Sequence, residues 1–446
     1  MKKKLLILLV FVANNLFAQN LTSNNLIVVR IGDGSSALGT TSAAAFFDEY
    51  KTDGTLVQSV PLPTSVQGVN KRLTLSGDKT DEGYISLSPD ADKIALFGYD
   101  CDLGATAPST TTSASVNRVI GVLTADKSVN TTKYLNSMFS TVVARSATVS
   151  GDNLWVTGGN TGIVHTTYNS TGAITANTIL ATTGRVLSIY DGQLYISSLG
   201  SGVRMGKVGT GLPVTTGQTI TSLPGYPTGA SDAPFQYVFS DQNVSIPGVD
   251  VLYVADALRG LLKYSFDGTD WVYNGVITGG SYMGLAARKV GSSMQLYGTR
   301  RIGSSASTYQ FQLFTITDDG GHNASFSNTV VTTLATAGTN TVFRGITFTP
   351  GTNTLGIAEV KQNIKQTDLQ VYASAGVLRA GIYSSLLGPG KLVIYNLSGN
   401  RLYEKSLDLV TGFQEHIIGT GLNYPSGVYI AVFTNSKQTV SQKFIL

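Results

Sequence analysis

Between residues 25 and 365 one phrase recurs: a short aliphatic run, a polar turn built on Pro, Gly, Asp or Asn, then a second run rich in aliphatic and aromatic residues. It is read at Ile85–Phe97, Ala147–Val156, Val186–Ile196 and Ile346–Gly356. Looser copies centre on Leu252-Tyr253-Val254 and Leu296-Tyr297, and a further strand of the same kind, Leu26–Arg30, opens the region. Six register markers, Leu96, Trp155, Tyr195, Tyr253, Tyr297 and Leu355, stand 59, 40, 58, 44 and 58 residues apart. Units of about 40–50 residues with loop insertions are the period of propeller blades. Strand pairs around Asp53-Gly54 and Asp267-Gly268 supply the outer hairpins such a blade needs. The expected fold is therefore all-β, a β-propeller over residues 25–365. With Leu26–Arg30 counted as a seventh marker, seven blades are favoured and six are compatible. The strands at 26–60 read as the outer part of a blade whose inner strand comes from the far end of the region. A pair of β-sandwiches is the structural rival, and it accounts poorly for the repeated phrase.

Composition supports many short strands and tight turns. Charged residues make up 13%, against about 25% in an average globular domain. Glycine occurs 50 times and tyrosine 21 times, types that suit turns and pleated surfaces respectively. The formal charge of +4 includes Lys2, Lys3 and Lys4; without them the chain sits near +1. Such a balance offers no electrostatic footprint for nucleic acid. Cys101 is the single cysteine, so no intrachain disulfide forms, and the expected state is a small buried side chain.

The two ends read differently from the middle. Three lysines, an apolar run over Leu5–Phe17 and then Ala18-Gln19 have the order of a secretory signal peptide, residues 1–18, with cleavage between Ala18 and Gln19. The apolar run is too short to span a bilayer, and no second stretch is long enough. At the other end, Leu392–Tyr403 reads as a strand, a turn at Ser398-Gly399-Asn400 and a returning strand. Phe413–Ile418, a turn at Tyr424–Gly427, Val428–Phe433 and Val440–Leu446 follow. Their alternation predicts a small β-sandwich with one buried face on each sheet.

Residues 369–446 resemble the type A C-terminal sorting domain of the type IX (Por) secretion system of Bacteroidetes. The resemblance is carried by Val393–Gly399 with Tyr395 and Gly399, by Ser426–Val432 with Gly427 and Tyr429, and by Val440–Leu446 at the terminus. It implies passage across both membranes, with the secretion machinery as partner and a secreted or outer-surface destination. The middle region is similar to uncharacterised secreted propellers, on Leu26–Gly34 and on Phe47-Asp48-Glu49-Tyr50 followed by Asp53–Val57. That resemblance brings no activity with it.

Chemistry is sparse. No Gly-x-Ser-x-Gly elbow is present, and His165, His322 and His416 are far apart with no zinc-ligand spacing. Asp100-Cys101-Asp102-Leu103-Gly104 begins like a calcium loop but lacks the later ligands. A solvated turn is the better expectation there, and likewise at Asp318–Gly321. Neither metal nor cofactor is expected. One positional pattern stands out: Arg145, Arg185 and Arg344 open first strands 10, 10 and 11 residues before Trp155, Tyr195 and Leu355. If those strands are innermost, three guanidinium groups converge at one mouth of the channel and favour a carboxylate, phosphate or sulfate. The structural alternative pairs them with Asp152, Asp191 and Asp256 of neighbouring blades. Tyr226, Tyr237, Tyr282 and Tyr309 lie in loop-like sequence and offer faces for sugar stacking. The expected role is a monomeric, non-catalytic binding module for an extracellular anionic glycan or peptide. A hydrolase or lyase remains an alternative, with Glu82 and the arginines as its hints, and a structural or adhesion component is the third.

Overall fold

The computed structural model describes residues 20–352 and 367–445, apart from positions 160, 170, 175–176, 201, 230, 328–329, 375–376, 385–387, 410–411, 421–424, 426 and 436–438. The signal segment with Ala18 and Gln19, and the marker Leu355, lie outside the described residues. The chain divides into two compact units, residues 1–359 and 360–446.

The first unit is a six-bladed β-propeller. Its blades, written from the inner strand outward, begin with Val342–Phe348, Leu26–Ile31, Ala45–Tyr50 and Leu56–Pro61. The second is Ser86–Leu87, Lys93–Tyr99, Arg118–Thr124 and Val129–Leu135, with the short Gly172–Ala173 added in parallel to its outer edge. The third comprises Ala144–Ser150, Asn153–Gly158, Ile163–Thr167 and Asn177–Leu180, and the fourth Gly184–Tyr190, Gln193–Ser198, Met205–Val208 and Ile220–Ser222. The fifth runs Pro234–Ser240, Val251–Asp256, Gly260–Phe266 and Trp271–Ile277, and the sixth Ser281–Val290, Ser293–Ile302, Gln310–Asp318 and Thr332–Thr336. The five markers Leu96 to Tyr297 all fall on second strands. The favoured count of seven is corrected to six because the phrase at 346 and the strand at 26 belong to one blade. Leu26, Ile27 and Val28 pair with Phe348, Thr347 and Ile346, so the amino-terminal strand takes the second position.

Alternation explains the packing. Successive residues of a strand face opposite sides of its sheet, and a blade is covered on both sides. Thus Ile27 and Val29 pack towards the second blade, against Ile94, Leu96 and Val119, while Leu26 and Val28 pack towards the sixth, against Tyr297 and Leu313. Four further apolar clusters fill the remaining blade interfaces, including Trp155 of the third blade against Leu187 and Ile196 of the fourth. The closing blade carries its own polar clasp. Buried Glu49 accepts the Asn25 side-chain amide (2.6 Å), the Thr22 N–H (2.9 Å) and the Gln58 amide (2.6 Å). Arg30 forks onto Asp48 at 2.6 and 3.2 Å.

The axis of the ring is filled. The inner strand of the second blade is only two residues long, and the chain before it, Gly77–Ile85, crosses the axis. The Tyr84 N–H donates to Arg145 O, and the Gly345 N–H to Gly83 O. Gln236, on the opposite blade, reaches over: its amide nitrogen donates to Ile85 O (2.7 Å) and Ile346 O (2.9 Å), and its oxygen accepts the Ile346 N–H (2.9 Å). Three backbone groups that lack ladder partners are thereby satisfied.

The second unit is a seven-stranded sandwich. Thr367–Ser374, Val377–Ser384 and Gly412–Thr420 form one sheet; Arg401–Leu409, Gly388–Asn396, Val428–Asn435 and Thr439–Ile445 form the other. Leu378, Ala380 and Ile382 from the first meet Leu392, Ile394, Ala431 and Phe433 from the second. Gly399 holds a left-handed turn at φ 79°. Tyr429 is buried, stacks on Phe444 and donates its hydroxyl to Pro425 O. Tyr395 is half-buried opposite Ile430, and Gly427 is half-buried just before Tyr429's strand.

The plug makes a stability prediction. A Cβ on Gly345 would lie 2.6 Å from Gly83 O and 2.8 Å from Tyr84 Cα, whereas one on Gly39 meets nothing. Gly345→Ala is expected to cost about 1–3 kcal/mol in urea unfolding, with Gly39→Ala near neutral.

Candidate functional site

At the start of five of the six inner strands, all but Ser86–Leu87, the ladder slips by one residue. Arg145 falls between the pairs Ala144↔Gly158 and Ser146↔Thr157, Arg185 between Gly184↔Ser198 and Val186↔Ser197, and Met283 between Tyr282↔Arg300 and Gly284↔Thr299. Phe235 and Gln236 fall between Pro234↔Asp256 and Tyr237↔Val254, and Arg344-Gly345 bulge opposite Val29. A bulge re-aims its side chain. Around the ring, the residues set at this level are Arg344, Tyr84, Arg145, Arg185, Phe235 and Met283.

The three arginines thus stand at equivalent positions, but the structure gives them different surroundings. Arg145 pairs with Asp81 of the axial segment at 2.8 Å and also donates to Gly158 O and Gly184 O. Arg344 is buried and donates to the carbonyls of Lys79 (3.1 Å) and Phe343 (3.1 Å). The Arg185 guanidinium carbon stands over the Phe235 ring, 3.9 Å from its centre, and its Nε and Nη1 are buried without a hydrogen-bond partner among the described residues. Burial pulls the pKa of Arg185 and Arg344 down from the usual arginine value. The pairing with Asp152, Asp191 and Asp256 is corrected: Asp256 caps the N–H groups of Ala233, Leu258 and Arg259, and Asp152 that of Asn169. Asp81, the actual partner of Arg145, lies 64 residues away.

A cavity of about 360 Å³ opens beside Arg185. Phe235, Met283, Leu199 and Leu258 form its apolar wall, Arg301 stands on the sixth blade, and Thr80 of the axial segment borders it. Asp232 also lines it but accepts Arg259 at 2.8 Å. Glu82 is fully enclosed and cannot reach this space: it accepts the Ser76 N–H (2.7 Å), the Ser76 hydroxyl (2.9 Å) and the Tyr99 hydroxyl (2.8 Å).

Other expectations are revised. Tyr226, Tyr237 and Tyr282 are buried, because the last two sit on inner strands covered on both faces. Tyr309 is exposed, under the Arg301 guanidinium at 4.1 Å. Asp318 belongs to no solvated turn: it is buried, with Lys263 at 2.7 Å and the Tyr253 hydroxyl at 2.5 Å. Asp100 and Asp102 both receive Arg72, and Cys101 is buried beside the Thr74 hydroxyl. His165 bonds to the Asn153 side chain and His322 to Phe266 O; His416 lies in the second unit. Among the described residues no cluster of His, Cys, Asp or Glu could hold a metal, and no helix is long and apolar enough to cross a membrane. Sequence reasoning missed Tyr84, Phe235, Gln236 and Met283. No common spacing marks them: Tyr84 precedes its strand, Phe235 is the second residue of its strand and Gln236 and Met283 are the third, and their chemistries differ.

No protein-family model matches the chain, and no curated protein matches it. Among solved structures it is similar to PorZ, an essential bacterial surface component of the type-IX secretion system of Porphyromonas gingivalis, at 12% identity and a TM-score of 0.32. That match covers 96% of this chain and 59% of PorZ, so the chain spans less than two thirds of PorZ. A glycoside hydrolase family 32 structure from Bifidobacterium adolescentis is similar at 10% identity and a TM-score of 0.25, covering 96% of this chain and 94% of that one. Kuenenia stuttgartiensis hydrazine synthase is similar at 9% identity and a TM-score of 0.27, covering 57% of this chain and 80% of that one. At these scores the likenesses carry no argument, and the fold rests on the six sheets and their interfaces.

Burial pushes Glu82 up to about 7, against the opposing pull of the Ser76 and Tyr99 hydrogen bonds. A raised carboxyl binds its proton more tightly folded than unfolded. Its contribution is therefore complete below the ordinary value of 4.5 and is lost as pH rises through about 7. The expected loss is about 3 kcal/mol, read as the slope of unfolding free energy between pH 5 and 8. Glu82→Gln should flatten that slope whatever its absolute stability.

Proposed function

We propose that this chain is a type IX cargo whose propeller binds, without catalysis, an anionic group of an extracellular glycan or peptide at the channel mouth. The observation that carries the reading is Arg185, a guanidinium at the edge of a cavity with two buried nitrogens that have no partner among the described residues. Orphaned buried donors cost free energy, and an acceptor brought by a ligand recovers it. The filled axis supports a binding site at the mouth rather than a through-channel. Residues 1–18 serve as the signal peptide and 369–446 as the sorting address, on the sequence blocks that contain Tyr395, Gly399, Gly427 and Tyr429.

Two measurements test it. On arrays of carboxylated, sulfated and phosphorylated glycans and acidic peptides, the mature chain should retain at least one anionic class, and Arg185→Gln should weaken it at least about tenfold. Arg72→Gln, remote from the cavity, should not. Unchanged binding in Arg185→Gln would sink the site. In a type IX-competent host, deletion of 369–446 should trap the propeller in the periplasm; continued export would remove the sorting role.

A further inference from the structure

The mouth cavity is small, and its polar groups are few. At about 360 Å³ it lies at the lower end of the range of ligand pockets, about 300–1,000 Å³, enough for a head group and one side chain rather than several sugar rings. Two of its polar side chains, Asp232 and Ser281, are already engaged. Asp232 takes Arg259 on one oxygen and the Ser231 hydroxyl on the other, and the Ser281 hydroxyl donates to Ala257 O at 3.0 Å. The Nε and Nη1 of Arg185 have no such partner among the described residues, and Arg301 also lines the cavity, with its guanidinium over Tyr309. What remains is apolar. Phe235 and Met283 form the floor, and Leu258, 67% exposed, and Leu199, 37% exposed, stand at the rim.

From this we infer that the cavity takes an amphiphilic carboxylate: one anionic head for Arg185, with an apolar body directly behind it. The inference rests on the mouth cavity being the binding site, and it narrows the ligand. A sugar ring brings several hydroxyls, and most would be desolvated against Phe235, Met283 or a leucine, with only Thr80 and Arg301 beside Arg185 to pair them. A carboxylate needs only the guanidinium of Arg185, which lines the cavity and keeps two buried nitrogens unpartnered among the described residues, and an attached aromatic or aliphatic group covers the apolar wall. Two sources share this chemistry: the C-terminal residue of a peptide, and a free aryl or alkyl carboxylic acid.

The test uses the mature full chain in competition binding with four probes: Gly-Gly-Phe as free acid, the same tripeptide as its C-terminal amide, 3-phenylpropionate, and a galacturonate trimer. The free-acid peptide should bind at least about tenfold more tightly than the amide. The galacturonate trimer should bind more weakly than either apolar acid. A peptide terminus is the source if Gly-Gly-Phe exceeds 3-phenylpropionate, and a free acid is the source if the two are equal. Arg185→Gln should abolish the difference between acid and amide. Leu258→Glu, at an exposed position that folding does not depend on, should weaken both acids by placing a negative charge at the rim. Arg185-dependent binding of the galacturonate trimer without binding of the apolar acids would overturn this inference and leave the anion-binding reading intact. Failure of every anion tested here and on the arrays would overturn both.

Discussion

The propeller depends on how its axis is closed. Six inner strands converge there, and every one carries backbone groups that need partners. Five of those strands are five residues long or longer, but the second blade contributes only Ser86–Leu87. Its missing length is replaced by the crossing segment Gly77–Ile85, whose backbone bonds to Arg145 O and to the Gly345 N–H. Gln236 then joins the opposite side of the ring to Ile85 and Ile346 with three hydrogen bonds. A buried amide this fully satisfied specifies one arrangement of blades, since any shift orphans several groups at once.

The same closure distributes the arginines. Bulges put Arg145, Arg185 and Arg344 at one level, yet the crossing segment supplies Asp81 to the first and Lys79 O to the third. It passes Arg185 by, and the Phe235 ring gives that residue a surface to lie on rather than an acceptor. The cavity is therefore a consequence of an asymmetric plug in a nearly symmetric ring. Its electrostatics follow from that asymmetry: the nearby Asp232 is neutralised by Arg259, while Arg185 makes no ion pair among the described residues.

Much of the fold was legible because blades are covered on both faces. Second strands such as Leu252–Ala255 and Leu194–Ile196 then read as near-continuous apolar runs at a regular interval, and an interval of that length has few architectural solutions. The blade count was less accessible. Leu26–Arg30 and Ile346–Phe348 look like separate copies until pairing in space joins them. Exposure was misread at Tyr237 and Tyr282 for a related reason: nearby Pro234 and Gly279-Gly280 resemble loop sequence but stand at the turns into inner strands. The arginine pattern could be seen as a spacing, whereas its partners could not. Asp81 and Lys79 are remote in sequence, and nothing local marks Gly77–Ile85 as a plug.

A closed axis requires the crossing segment to be as firmly held as the blades. Hydrogen–deuterium exchange resolved to single amides tests this most directly, because exchange reports the free energy of opening at each N–H. Tyr84, Gly345 and Ile346 donate within the plug and should exchange as slowly as Thr148, opposite Trp155 in the third blade's inner ladder. Exchange at those three amides as fast as in the exposed Ser304–Ser307 loop would contradict it, and the axis would then be an open channel covered by a loose strap.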